Sequence, residues 1–265
     1  MTRWQPPFLV TSGAALSVAA VGALAAHPPA WPVVLGALAL PHALFSIASC
    51  MPRSTLLGPN ISRLGNEAAK RGLVSLTFDD GPDPKVTPRG LDLLDAADAR
   101  ASFFCVGRHV RAHPELAREI LARGHSIENH TDRHPYGFGF YFYGPCKREL
   151  EAGQASITNV TGVPPRYVRA PAGVRNLFVD PAAHALGLKY VSWTHRGLDT
   201  VDEDIVRVAA RLIAPLAAGD ILLLHDGDTM RGKVRRAPLI EVLPRVLDGL
   251  SKKNLRSVRL ADALA

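Results

Sequence analysis

The sequence predicts an α/β fold in which parallel strands form a distorted, incomplete barrel with helices outside, preceded by a transmembrane helical hairpin. Three features of the sequence support this fold class. Residues 1–50 contain two long apolar stretches and differ in composition from everything after them. From residue 72 onward, short apolar segments alternate with segments of helical periodicity. Polar residues repeatedly follow the short apolar segments, as they do at the carboxyl ends of barrel strands.

The first two elements are the apolar stretches 8–26 and 31–50, which contain no Asp, Glu, Lys or Arg. Each is close to the roughly 20 residues that a helix needs to cross a bilayer. We therefore predict a two-span membrane anchor over residues 1–50. The alternative is a cleaved signal peptide, because Arg3 precedes the first stretch and the segment 23–25 resembles a small-residue cleavage site. Cleavage would leave the second stretch to span the membrane alone.

Basic residues flank this anchor at its two outer ends. Arg3 precedes it, the link between the stretches has no Lys or Arg, and the basic residues that follow are Arg53, Arg63, Lys70 and Arg71. The positive-inside rule then predicts an inner-membrane anchor with both ends in the cytoplasm. The net charge of +7 favours an anionic partner, and we predict membrane lipid. No nucleic-acid-binding motif is present, and the three cysteines predict no disulfide framework.

Residues 51–71 are rich in Pro, Gly and polar residues and predict a linker to a second domain over residues 72–265. Each predicted strand is a short apolar or aromatic run, and the strands cover residues 74–78, 101–106, 126–128, 167–169, 190–193, 220–224 and 256–259. Each predicted helix has apolar residues three or four positions apart, and the helices cover residues 87–97, 113–123, 146–161, 181–186, 202–217 and 237–250. This alternation predicts a parallel sheet covered by helices, with too few strands for a complete barrel.

Side chains with metal-binding and acid–base chemistry follow several of the predicted strands. Asp79 and Asp80 follow the first strand, His130 and His134 the third, and His225 a later one. Two histidines and one carboxylate form a three-ligand site with open positions for water, as a catalytic metal requires. The same ligands suit zinc, iron or cobalt, so the pattern leaves the metal open. Taken singly, the aspartates also suit a turn before Gly-Pro and the histidines also suit surface positions.

Four motifs in this order resemble the NodB-type polysaccharide deacetylases, carbohydrate esterase family four. They are Thr-Phe-Asp-Asp-Gly-Pro at 77–82, His-Thr-Asp-Arg-His at 130–134, Arg-Ala-Pro-Ala-Gly at 169–173 and Leu-Leu-His at 223–225. The resemblance covers roughly residues 72–262 and makes residues 72–265 the catalytic domain. It implies a metal-dependent hydrolase that removes an N-acyl group, acetyl first of all, from an amino sugar in a glycan or a lipid-linked saccharide.

The resemblance also implies residue roles. Asp80, His130 and His134 would hold the divalent metal, with zinc first and cobalt or another divalent ion as alternatives. Asp79 would be the general base that takes a proton from the attacking water, and His225 the general acid that protonates the leaving amine. This division fits amide hydrolysis, which needs a nucleophile formed near neutral pH and an acid for the leaving group.

The remaining implied site residues support these groups or contact the substrate. Arg169 would orient Asp79 through an ion pair, and Asp199 would in turn hold Arg169. The backbone N–H of Ala172 would stabilise the oxyanion of the reaction. The predicted substrate-binding residues are Ala172, Leu223, Pro171 and Gly173.

Three positions depart from the family pattern. Ala172 replaces a Tyr, Arg196 an Asp and Thr200 a Trp, so the wall that receives the acyl methyl is altered. These departures leave a second hypothesis open, a catalytically silent, membrane-tethered carbohydrate-binding protein of the same fold. Two further features carry no family signature, an aromatic segment at 136–143 and the basic residues Arg231, Lys233, Arg235 and Arg236. They suit core packing and a solvated helix start, or contacts with the membrane surface and its headgroups.

Overall fold

The computed structural model describes residues 3–227 and 238–264. The chain begins with two antiparallel helices, α1 (Phe8–Ala26) and α2 (Trp31–Cys50), joined by the 3₁₀ turn Pro28–Ala30. Gly13 lets them approach closely, because a Cβ at that position would lie 2.9 Å from the ring of Phe45. Phe8–Ala26 and Pro28–Cys50, of 19 and 23 residues and both with mean hydropathy 1.9, are long and apolar enough to span a membrane.

All strands of the sheet pair in parallel. They are β1 (Leu73–Asp79), β2 (Ala101–Cys105), β3 (Ser126–Asn129), β4 (Tyr167–Val168), β5 (Lys189–Tyr190), β6 (His195–Arg196), β7 (Ile221–His225) and β8 (Arg256–Ser257). Their order is β5-β4-β3-β2-β1-β7-β6, and β8 pairs with the start of β1. Within the described residues β5 and β6 do not pair, so the sheet curls into an open half-barrel. The predicted fold class is confirmed.

Helices cover the outer face of this sheet. They are α4 (Thr87–Ala96), α5 (Gly107–Ala112), α6 (Pro114–Ala122), α7 (Tyr143–Thr161), α8 (Val179–Ala185), α9 (Ile205–Ile213) and α10 (Leu239–Lys252). Helices α3 (Asn66–Lys70) and α11 (Leu260–Ala263) instead pack against apolar residues of the inner face, Leu73 and Leu223 among them. Side chains of one strand alternate between the two faces of a sheet. In β1, Leu76 and Phe78 accordingly pack in the core under the helices, while Thr77 and Asp79 face the barrel interior, where they contact Arg169. This alternation places polar side chains on the inner face of a strand whose outer face is apolar.

The edges of the half-barrel differ from the sequence-based prediction. The predicted strand 190–193 ends at Tyr190, and β6 was not predicted. Val191 pairs instead with Ile61, whose carbonyl accepts a hydrogen bond from the Ser192 amide at 2.9 Å. The segment predicted as a linker therefore supplies an edge partner, which no local pattern indicates. Its apolar residues Leu57, Leu64 and Ala68 are buried.

The helices also differ from the prediction. Helices α3, α5 and α11 were not predicted, because their five, six and four residues are too few to show a clear apolar periodicity. Helix α9 starts three residues later than predicted, since the Asp204 side chain accepts a hydrogen bond from the Arg207 amide at 3.0 Å and caps the helix there.

Candidate active site

The two adjacent aspartates line one cavity of about 830 Å³ at the carboxyl end of the strands. Asp79 is the last residue of β1, and Asp80 has a φ of 78°. On a regular strand the two side chains would point to opposite faces. The left-handed backbone at Asp80 turns the chain, so both carboxylates reach the same cavity.

Asp80, His130 and His134 form a compact cluster of potential metal ligands. The Asp80 Oδ1 atom lies 3.3 Å from His130 Nε2 and 3.2 Å from His134 Nε2. One ligand atom from each of the three residues lies within 4.8 Å of the other two. A carboxylate and two imidazoles at this spacing match the protein ligands of an open catalytic metal site.

The hydrogen bonds around the cluster fit a metal as well. His130 Nδ1 lies 2.9 Å from the carbonyl oxygen of Arg169, and a carbonyl only accepts, so Nδ1 carries the proton. The Nε2 lone pair of His130 is then free on the side of Asp80. Asp80 Oδ1 is buried and has no hydrogen-bond partner among the described residues. A buried carboxylate oxygen without a donor is costly, and a cation at this position would satisfy it.

The electrostatics of Asp80 and His134 favour the ionisation states of metal ligands. Burial lowers the pKa of His130, but the carboxylates of Asp79 and Asp80 outweigh burial and raise it. Burial by itself raises the pKa of Asp80, but the neighbouring His130 outweighs burial and holds this pKa well below its usual range. Burial, followed by the nearby His130, lowers the pKa of His134 to about 4. Near neutral pH the cluster therefore offers a carboxylate and a neutral imidazole.

Asp79 is held by a fully buried arginine. Arg169 Nη1 donates to Asp79 Oδ1 at 2.6 Å and to Thr77 Oγ1 at 3.0 Å. Its Nη2 donates to the Ser192 carbonyl at 2.8 Å, and its guanidinium lies 4.1 Å from the ring centroid of Phe104. The other carboxylate oxygen, Oδ2, lies 3.8 Å from His130 Nε2. Asp79 therefore keeps one oxygen on Arg169 and the other toward the metal-ligand cluster.

We expect Arg169→Leu to lower the free energy of unfolding by about 3–5 kcal/mol, because it leaves the buried Asp79 carboxylate without its counter-ion. The measurement is denaturant unfolding of the detergent-solubilised full chain. The double variant Arg169→Leu/Asp79→Asn should recover part of this loss, since no uncompensated charge remains. Equal losses in the single and double variants would instead assign the whole effect to packing.

His225 is paired with Asp199. Its Nδ1 lies 2.9 Å from Asp199 Oδ1, and its backbone N–H donates to Oδ2 at 2.8 Å. The predicted contact of Asp199 with Arg169 is therefore wrong. Thr77, Asp79 and backbone carbonyls take the described Arg169 hydrogen bonds, because Arg169 lies inside the barrel and Asp199 lies at the end of β7.

This pairing determines the charge of His225. Burial disfavours the imidazolium ion, but the Asp199 carboxylate outweighs it and raises the pKa of His225 to about 9. The ring is consequently protonated near neutral pH. Because Nδ1 is bound to Asp199 and the residue lines the cavity, Nε2 is the nitrogen available to a ligand there.

The other predicted site residues have different positions. Ala172, Gly173 and Leu223 line the cavity, whereas Pro171 is buried and does not. The lining residues that the sequence did not single out include Arg108, His109, Arg133, Trp193 and Leu198. Arg108 and His109 follow the end of β2, and that position was the signal that would have found them.

Non-glycine residues with positive φ cluster around this cavity. Among the described residues they include Asp80, Thr131, His134, Ala172 and Leu198, with φ between 53 and 78°. Such conformations cost about 1–3 kcal/mol each and persist only where the surroundings hold them. The Thr131 amide donates to Asn129 Oδ1 at 2.8 Å, and the His134 amide to Thr131 Oγ1 at 3.0 Å. These bonds fix the loop that carries both histidines.

The basic residues Arg231, Lys233, Arg235 and Arg236, together with the first residue of the predicted helix 237–250, lie outside the described residues.

A parallel half-barrel with a buried carboxylate, a protonated histidine and a cluster of potential metal ligands at its carboxyl end is the architecture of carbohydrate N-deacetylases, hydrolases of the carbon–nitrogen bond of linear amides. A sequence model described as polysaccharide deacetylase matches residues 66–191. The chain belongs to this family.

Relatives support the same family. The chain is 31% identical to a peptidoglycan-N-acetylglucosamine deacetylase of Bacillus cereus over 194 residues, covering 72% of this chain and 88% of that one. It is 36% identical to a chitooligosaccharide deacetylase of a Bradyrhizobium species over 157 residues, covering 58% and 70%. Among solved structures, a pseudoenzyme of carbohydrate esterase family four from Bacillus anthracis has the same fold, with a TM-score of 0.69 and 20% identity over 78% of this chain and 69% of that one.

Proposed function

We propose that this protein is a membrane-anchored, metal-dependent N-deacetylase that removes an N-acyl group, acetyl first of all, from an amino sugar. The observation that carries the proposal is the buried, unpartnered Asp80 Oδ1 between the Nε2 atoms of His130 and His134. Zinc suits these three ligands best, and cobalt or another divalent ion is the alternative. When bound there, such an ion supplies Lewis acidity and lowers the pKa of water to about 7.

Asp79 is the proposed general base. A base must lie close to the metal without coordinating it. Asp79 Oδ2 lies 3.8 Å from Nε2 of His130, the proposed ligand nitrogen. Arg169 occupies the other oxygen and fixes the carboxylate plane. Arg169 therefore acts as a positioning residue, which prevents Asp79 from rotating toward the cluster as a fourth ligand.

His225 is the proposed general acid. Its pKa of about 9 keeps the ring protonated at neutral pH, so it can give the Nε2 proton to the departing amine. Asp199 holds Nδ1 and sets the orientation of the ring. The scissile nitrogen takes up this proton as the carbon–nitrogen bond breaks, so the sugar leaves as a neutral amine rather than as a strongly basic amide anion.

The proposed acyl site lies between Leu223 and the backbone of Ala172. Leu223 and Gly173 line the same cavity as Asp79, and the neighbouring Pro171 is buried. Ala172 also lines this cavity and has left-handed backbone, with φ 55°. Its N–H is the proposed oxyanion donor. A small side chain here leaves more room beside the acyl group than a bulky one would.

The decisive experiment measures acetate release from a panel of N-acetyl amino sugars by the purified full-length protein. We expect release that stops on incubation with a chelator and returns on addition of Zn²⁺ or Co²⁺. The metal content, measured by elemental analysis, should fall in Asp80→Ala and His134→Ala. Activity that survives complete chelation would refute the metal-dependent mechanism.

A catalytically silent carbohydrate-binding protein is the second candidate. It is favoured by Arg196 and Thr200 on the cavity wall, where the family pattern has Asp and Trp. The same panel separates the two functions. A metal-loaded protein that binds N-acetyl sugars and releases acetate from none of them would support the silent protein.

The anchor is part of the proposal because the hairpin joins the domain beside the cavity mouth. The Arg175 amide donates to the Ser49 carbonyl near the end of α2, at 3.2 Å. The neighbouring Asn176 side chain donates to the carbonyls of Gly139 and Tyr141 at 3.0 and 2.7 Å. The aromatic segment 136–143 therefore lies close to the end of the span.

Exposed aromatic side chains in that segment suit a membrane interface. Phe140 and Phe142 are 90% and 73% exposed, which is unusual for phenylalanine side chains on a surface that faces only water. The proposed arrangement places this aromatic segment, and with it the cavity mouth, at the surface of the bilayer.

We expect a reporter fusion at the C-terminus to be active on the cytoplasmic side. The expectation follows from Arg53 and the other basic residues after the second span. Paired alkaline phosphatase and fluorescent protein fusions test it in a bacterial host. An active phosphatase fusion would place the domain outside the cytoplasm and favour a polymer, such as peptidoglycan or a chitin-like chain, as the substrate.

A further inference from the structure

A second cavity, of about 580 Å³, lies against the first and has a basic lining. Its walls come from the segment after α2, from the chain around β6 and from the end of α9 and the turn after it. The lining includes Arg53, His195, Arg196 and Arg211 and contains no Asp or Glu among the described residues. A concave surface with this charge attracts anions.

Two of the four basic side chains are already neutralised. Arg211 Nη1 lies 2.7 Å from Asp202 Oδ2, and His195 Nε2 lies 3.3 Å from Asp220 Oδ2. Among the described residues, no carboxylate lies within ion-pair distance of Arg53 or Arg196: Arg53 donates to the Thr194 carbonyl at 3.3 Å, and Arg196 lies 5.8 Å from the ring centroid of Trp193. These two guanidinium groups keep donors for a ligand.

Arg196 and Trp193 line both cavities and connect them. Arg196 pairs in register with Leu223, two residues before His225 on β7. Two residues of a strand correspond to about 7 Å. An anionic group held by Arg196 is therefore about one sugar ring away from the acid histidine.

Arg53 fixes the depth of the second cavity relative to the proposed anchor. It is the third residue after the end of α2 at Cys50. The first residues beyond a span lie in the headgroup region, where the phosphates of membrane-embedded molecules also lie. The second cavity thus has a free guanidinium at phosphate depth, and the first cavity continues from it.

We propose that the second cavity binds the phosphate through which an N-acyl amino sugar is linked to a membrane-embedded lipid, with Arg53 and Arg196 as the phosphate ligands. This inference rests on the proposed deacetylase function and names its substrate class. The planar guanidinium fork matches phosphate oxygens in two-point hydrogen bonds. The lipid lies along the hairpin, the phosphate lies in the second cavity, and the sugar reaches the first cavity with its acyl group at the metal-ligand cluster.

The test compares three forms of one N-acetyl amino sugar with the metal-loaded full-length protein in nanodiscs. One form is linked through phosphate to a polyprenyl chain, one is the water-soluble 1-phosphate, and one is the neutral methyl glycoside. We expect kcat/KM to be highest for the lipid-linked form. In Arg53→Gln/Arg196→Gln, the ratio of kcat/KM for the lipid-linked form to that for the methyl glycoside should fall by about tenfold or more. Arg148→Gln, which removes an exposed charge on α7 outside both cavities, should keep the wild-type ratio.

Binding to Asp79→Asn, measured by calorimetry, separates this inference from the proposed function. Asp79→Asn should bind the 1-phosphate more tightly than the methyl glycoside, and this difference should disappear when Arg53→Gln/Arg196→Gln is added. That result supports the phosphate site even if no sugar loses its acetate. Equal binding and equal kcat/KM for the phosphorylated and neutral forms would overturn it while leaving the deacetylase function intact. Equal kcat/KM for the lipid-linked form and the soluble 1-phosphate would overturn the lipid-linked source.

Discussion

Asp79→Asn is expected to lower kcat by about 10²–10⁴-fold, the usual contribution of a positioned general base. The amide keeps the size of the side chain and can still accept the hydrogen bond from Arg169, but it cannot take a proton from water. Because Asp79 is not one of the three clustered ligand residues, the metal content of the variant should equal that of the wild type.

Steady-state acetate release and elemental analysis on the same preparation check both halves of this result. The matched control is Asp80→Asn, one residue further along, which should lose metal together with activity. A variant Asp79→Asn that loses its metal would make Asp79 a ligand and contradict the proposed division of labour between the two aspartates.

The second large effect is expected at His225. His225→Ala should lower kcat by about 10²–10⁴-fold with no loss of metal, because it removes the proton donor for the leaving amine. Substrates with a better leaving group than an alkylamine should recover much of the rate in this variant. A rate loss that is independent of the leaving group would refute its role as the acid.

The pH profile tests the same role through Asp199. A general acid works only when protonated, so with a folded pKa of about 9 the wild-type rate should fall as pH rises through about 9. Asp199→Asn removes the carboxylate that raises this pKa, while burial continues to lower it. The alkaline limb of kcat/KM should therefore move to lower pH by about 1–3 units. An unchanged limb would show that His225 does not govern it.

Arg196 is both a departure from the family pattern and a lining residue of the second cavity. It stands where the family pattern has an acidic residue, and the structure gives it a free guanidinium between two cavities. In the proposed function, the half-barrel site performs the deacetylation, whereas Arg196 and the preceding hairpin select the substrate. The proposal thus assigns substrate class and reaction chemistry to different parts of the molecule.

Much of the catalytic domain was predictable because its signals are local. The strands around 74–78, 101–106 and 220–224 are continuous apolar runs, and each appears in the structure within two residues of its predicted bounds. The neighbourhood of Asp80 and His130 was predictable in a similar way, since each directly follows a predicted strand or its last residue, and the family resemblance added His134 as the third candidate ligand. Parallel strands bring their carboxyl ends to one edge, so strand ends alone indicate neighbours.

The edges and the supports of the site were not predictable in this way. Strand β6 is two residues long, and it forms only because its segment pairs with β7, which is distant in sequence. Arg196 pairs with Leu223, and the Thr194 amide donates to the Ile221 carbonyl. The partner of Asp199 depends on how the loop after β6 folds back over β7. A short sequence pattern contains no information about such long-range contacts.

The amino-acid sequence by itself indicated the hairpin and the half-barrel class, because periodicity, apolar length and strand ends are local properties, and its motifs indicated the candidate metal ligands and the Arg169–Asp79 pair through the family resemblance. Only the tertiary structure decided that Asp199 holds His225 rather than Arg169. It also decided that Arg53 and Arg196 line one cavity, although 142 residues lie between them in the chain. The physical reason is that curling of the sheet, rather than any local pattern, brings distant segments within hydrogen-bonding distance.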